Sequence, residues 1–178
     1  RWTAGDPAGA AASHERAARI AQQLLTKSPD DALFKRRLGV ASAQRGQALA
    51  AGGHFAAGLE QVRKGLALLE ALAAASPSDA EAQARVAVVS DVMAGILVEL
   101  SSDTAPVLAA LQRSLAINEK LSAAEPENTR FRHDVAVSHN WLGDLLVRTG
   151  DQAGARRSAH HRASRARRCT RTGRRGRR

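Results

Sequence analysis

Three prolines stand in nearly the same local setting: Ser28-Pro29-Asp30-Asp31, Ser76-Pro77-Ser78-Asp79 and Glu125-Pro126-Glu127-Asn128, separated by 48 and 49 residues. A fixed interval of this size is the mark of a chain assembled from stacked supersecondary units, because each unit alone leaves an apolar face uncovered. Other landmarks keep the same phase. A glycine follows each proline by 17 or 18 residues (Gly46, Gly95, Gly143), and a turn position lies seven residues beyond (Gly53, Ser102, Gly150). Gly53 and Ser102 each precede the next proline by 24 residues, an interval that Gly5 and Pro29 repeat. Residues 4–10 (AGDPAGA) also read like residues 149–155 (TGDQAGA), so the first residues close an earlier unit.

Between these marks the pattern is helical. Leu59, Val62, Leu66, Leu69 and Leu72, then Leu108, Leu111, Leu115 and Leu121, recur at steps of three and four. Ala and Leu dominate the apolar residues and Tyr is absent, a bias towards helix because these side chains lose little rotamer freedom there. Each unit is therefore a helical hairpin, with first helices over 31–51, 79–100 and 128–149 and second helices over 55–75 and 104–124. Asp31, Asp79 and Asn128 are suited to accept N–H bonds as N-caps, and Gly53 and Gly150 to take the positive φ that ends a helix. The fold expected is all-α, a right-handed stack of antiparallel hairpins with a period of about 48–49 residues over 1–155.

Charge is distributed unevenly. The net charge of +10 looks like that of a nucleic-acid binder, yet residues 1–155 hold 16 Lys and Arg against 17 Asp and Glu. The whole excess lies in 156–178, with 11 Arg and no acid, so the body has no electrostatic preference for polyanions. One cysteine, Cys169, excludes an intrachain disulfide framework and fits a reducing, cytoplasmic setting. No stretch approaches the length of a spanning helix. Residue 1 is Arg rather than Met, and the chain is read as beginning inside a longer protein.

Leu142-Gly143, then Gly150-Asp151, then Ala155 resembles the tetratricopeptide repeat, with echoes at Gly46, Gly53 and Gly58 and at Gly95 and Val107. That resemblance implies an α-solenoid that binds a protein or peptide partner without catalysis. The usual repeat is about 34 residues, and the longer unit here means that both helices are longer. The wording of residues 116–121, 124–128, 134–139 and 142–146 is similar to repeat arrays C-terminal to bacterial serine/threonine protein kinases. The kinase motifs themselves are absent, so this segment would be a docking or regulatory arm.

The resemblance implies that first helices line a concave face, at Ala43/Val92/Asn140, Gln47/Ile96/Asp144 and Ala51/Leu100/Arg148. On this alignment only the last unit is polar, and Asn140, Asp144 and Arg148, four apart, form a candidate partner-binding stripe. The plainer reading pairs Asp144 with Arg148 as a surface i,i+4 ion pair. Trp141 is a candidate recognition aromatic, although packing against a neighbouring helix is the simpler role. Phe34, Ala82 and Phe131 are equivalent packing positions. His133, Asp134 and His139 do not suit a metal, since histidines six apart fall on different helical faces; His160, His161 and Cys169 lack a fourth ligand. No catalytic, cofactor or metal residues are assigned.

From Arg156 the repeat breaks. Arg156, Ala159, Ala163, Arg165 and Cys169 stand where the previous unit has Leu108, Leu111, Leu115, Ile117 and Leu121. The tail is read as the product of a shifted reading frame in GC-rich DNA; a solvated terminus and a polyanion-binding tail are the alternatives.

Overall fold

The computed structural model describes residues 5–101 and 103–150. Those residues form six helices and no strand: α1 (Pro7–Lys27), α2 (Ala32–Ala51), α3 (Phe55–Ala75), α4 (Ala80–Leu100), α5 (Ala105–Ala124) and α6 (Thr129–Arg148). Every expected helix is present with ends within one residue. The first helices start at 32, 80 and 129, which restates the spacing of 48 and 49 seen in the prolines. The Arg-rich segment 156–178 lies outside the described residues.

Local chemistry sets the ends. Asp31 accepts a bond from the Phe34 N–H at 3.1 Å, Asp79 from the Ala82 N–H at 2.9 Å, and Asn128 from the Arg130 N–H at 3.1 Å. Each satisfies one of the N–H groups that a helix start leaves without a partner. Asp6 does the same for Gly9 at the head of α1. Gly53 has φ +85° and Gly150 φ +79°, a conformation that costs a residue with a Cβ about 1–2 kcal/mol. No helix among the described residues is long and apolar enough to cross a membrane.

By internal contacts the chain divides after Val107. In the first unit α1 packs on α2, α2 on α3 and α3 on α4, with a smaller contact from α2 to α4. Consecutive helices thus stack in chain order. Val62 and Leu69 of α3 are almost completely buried, and each contributes about 1.5–3 kcal/mol through removal from water. Arg36 of α2 reaches the capping Asp79 at 3.2 Å, which ties one first helix to the next.

The α2–α3 contact is made by backbone. A Cβ on Gly46 would lie 2.5 Å from the Gly58 carbonyl oxygen, and one on Gly58 would lie 2.6 Å from the Gly46 carbonyl oxygen. Seven residues away, Gly39 and Gly65 form a second reciprocal pair, in which a Cβ on Gly65 would collide with the Gly39 carbonyl. Two glycines seven apart on each antiparallel helix therefore let the two axes approach along two turns.

The glycine expected to mark the next first helix is different. Nothing lies within 4 Å of a Cβ built on Gly95, which is exposed. The buried small residue 17 positions after Pro77, as Gly46 is after Pro29 and Gly143 after Pro126, is Ala94, only 2% exposed. Gly95 matched the phase by composition and misses the contact by one helical step, about 100° round the helix.

These contrasts give a paired expectation. Gly46→Leu should destabilise the chain by about 1–3 kcal/mol or more through overpacking, whereas Gly95→Ala should stabilise it by about 0.5–1 kcal/mol. Thermal unfolding followed by circular dichroism at 222 nm reads both signs.

Candidate docking face on the sixth helix

The unit after Val107 contains most of α5 and all of α6, and a polar cluster holds the two together. Asn118 Nδ2 donates to Ser138 Oγ at 3.0 Å, and Ser114 Oγ lies 3.4 Å from Ser138 Oγ. Ser114 and Ser138 are completely buried and Asn118 is 4% exposed. In the first unit the same repeat positions on α3 are Gly65 and Leu69, without hydrogen-bonding side chains. His139, also buried, places Nε2 3.7 Å from Glu119 of α5. Directional bonds of this kind fix the rotation of α6 more tightly than apolar contact alone.

That rotation decides what α6 presents. Phe131, Val135, Ser138 and Leu145 are buried, in steps of four, three and seven. The face turned away carries Trp141, Asp144 and Arg148, all exposed, with Asn140 half-buried beside them. The four candidate residues are thus brought onto one side of one helix. Trp141 keeps 51% of its surface open, so the simpler packing role does not use up its ring. Among the described residues Asp144 and Arg148 form no ion pair, whereas Arg130 and Asp134 stand 3.9 Å apart. The i,i+4 pairing expected from spacing alone is not formed.

The cap positions also correct the alignment of the middle unit. Counted from Asp31, Asp79 and Asn128, the counterparts of Asn140, Asp144 and Arg148 in α4 are Asp91, Gly95 and Glu99, not Val92, Ile96 and Leu100. Ile96 is core, 4% exposed, while Gly95 and Glu99 are exposed. Polarity at these positions is therefore shared by α4 and α6. The same count makes Val92 the counterpart of Trp141. Phe34, Ala82 and Phe131 stay equivalent, each three residues beyond its cap, and Ala82 and Phe131 are buried.

Among the described residues no group of three or more His, Cys, Asp or Glu side chains is placed to hold a metal ion. His133 is exposed and His139 buried, on different faces as their spacing requires. His160, His161 and Cys169 lie outside the described residues. A shallow concavity of about 420 Å³ lies between the start of α1 and the end of α2, lined by Asp6, Ala11, Glu15, Arg45, Leu49 and His54. Arg45 and Glu15 meet across it at 3.5 Å, so its charges are already matched. On α3, the Lys64 ammonium 2.6 Å from Glu60 holds that carboxyl below its ordinary pKa, an exposed pair with no bearing on a site.

The Ser114–Asn118–Ser138 cluster escaped the sequence reading. Its signal was present as two polar residues four apart inside the apolar run of α5, between Leu111, Leu115 and Leu121. Comparison of the chain with protein-family models, curated proteins and solved structures returns no match.

Asn118→Ala should cost about 1–3 kcal/mol, because Ser138 loses its donor in a buried place. Trp141→Ala should change stability by no more than about 0.5 kcal/mol. Urea unfolding of the two variants checks the difference.

Proposed function

We propose that this chain is a tetratricopeptide-like α-solenoid, a right-handed stack of helical hairpins acting as a non-catalytic scaffold for protein partners. In this reading it is a docking or regulatory segment of a larger cytoplasmic bacterial signalling protein such as a serine/threonine kinase. The observation that carries the binding role is the outward face of α6. A half-exposed Trp141 stands beside the polar groups of Asn140, Asp144 and Arg148 on a helix whose rotation is held by buried hydrogen bonds. An aromatic ring with hydrogen-bonding and charged neighbours is the composition of an interface hot spot, where Trp and Arg supply most of the energy. The tetratricopeptide reading rests on the repeat period, on the small residues at Gly46, Ala94 and Gly143, and on packing between consecutive helices.

The test is selection of peptides from a displayed library on the full chain. Enriched peptides should bind with affinity that falls by about tenfold or more in Trp141→Ala and in Asp144→Ala/Arg148→Ala, at unchanged helicity. Peptides that bind these variants as well as the parent would reject the α6 face as the docking surface.

A second reading has its own observation, the 11 Arg without an acid in 156–178. Binding of nucleic acid or another polyanion through this segment would fall steeply with salt and vanish on its deletion.

A further inference from the structure

From the spacing and charges of its open face we infer that α6 takes an antiparallel amphipathic helix from a partner protein, one that turns an acid, then a base, then two apolar residues towards it. The proposal rests on α6 being the docking face and adds the shape and charge order of what docks there. On α6 the open positions are Arg130, Asp134, Val137, Trp141, Asp144 and Arg148, at alternate steps of four and three, with Asp134 and Val137 half-buried and the rest exposed. Counted from the caps, none of the six matching positions on α2 or on α4 is buried. α4 lies inside the chain with helices before and after it, and its Val88 is still 52% exposed, with Gly95 and Glu99 exposed beyond it. The opening therefore belongs to the repeat and not to an end of the chain.

Steps of four and three are the spacing at which one helix offers a single seam to another. An extended strand, whose same-face side chains come about 6.6 Å apart, runs out of register with seam residues about 5 Å apart. Along the seam the charges are used unevenly. Arg130 and Asp134 stand 3.9 Å apart as an ion pair near the start of α6. Val137 and Trp141 form an apolar centre. Asp144 and Arg148 follow, opposite in sign and without an ion pair among the described residues. A partner helix therefore needs apolar side chains over Val137 and Trp141, a base over Asp144 and an acid over Arg148. Its direction follows from the helix dipoles. Arg148 lies in the last turn of α6, the negative end, which favours the positive N-terminal end of the partner. Antiparallel docking sets the partner's acid near its own N-terminus, where that charge is stabilised, and its base four residues later, the order in which the two also support each other within one helix. The apolar residues come three and seven positions after the base.

The probes are two labelled helical peptides of identical composition, one with the acid before the base and one with the two exchanged, titrated with the full chain and followed by fluorescence anisotropy. Their equal net charge makes any effect of the Arg-rich segment 156–178 common to both. The acid-first peptide should bind about fivefold or more tightly than the exchanged one. Asp144→Arg/Arg148→Asp, exposed changes whose retained helicity circular dichroism checks, should reverse that preference. A proline at the centre of the acid-first peptide should abolish binding, because it breaks the helix. Absence of saturable binding, equal binding of the two peptides, or a preference that survives the charge exchange overturns the proposal. So does full binding of the proline peptide, which would make an extended segment the occupant. Where binding in these cases still falls in Trp141→Ala, α6 remains a docking face for a different occupant; binding indifferent to Trp141→Ala rejects that reading too.

Discussion

The close approach of α2 and α3 is the constraint on which the first unit depends. Gly46 against Gly58 and Gly39 against Gly65 bring backbone to backbone, so the separation of the two helices is set by carbonyl oxygens rather than by side chains. Helix axes at that distance leave Val62 and Leu69 no path to solvent, and the apolar core follows. Interiors are packed too densely for such a contact to yield, and a methyl group inserted there would have to move a helix rather than a side chain.

In the unit after Val107 a different chemistry does the equivalent work. Ser114, Asn118 and Ser138 exchange hydrogen bonds where the α3 positions in the first unit offer only Gly65 and Leu69. An apolar interface accepts small rotations of one helix on another. A buried amide that must keep its hydroxyl partner does not, because a polar group left unsatisfied in the interior costs more than the bond itself contributes. The orientation of Trp141, Asp144 and Arg148 is therefore a consequence of buried groups on the other side of the same helix.

Much of the architecture was legible because it rests on local physics. Proline beyond the first turn breaks a helix, and Asp31, Asp79 and Asn128 each accept a helix N–H two or three residues on without help from distant parts of the chain. Gly95 shows where that reasoning ends. By spacing it was as good a landmark as Gly46, but whether a small residue serves an interface depends on which side of the helix meets a neighbour. That side passes through Ala94. The same single step misassigned Val92, Ile96 and Leu100 to a shared stripe with Asn140, Asp144 and Arg148.

The sequence by itself determined the repeat period, the helix class and the end of each helix, since proline sterics, capping bonds and positive φ act within a few residues. The tertiary structure alone decided which helix faces are covered. It opened Trp141, buried Asn118 with Ser138, and covered Gly58, Val62 and Gly65 of α3 beneath α2. The physical reason is that burial belongs to pairs of elements. Which side of a helix is covered is set by the helix that meets it, and that neighbour lies beyond the reach of capping and turn chemistry.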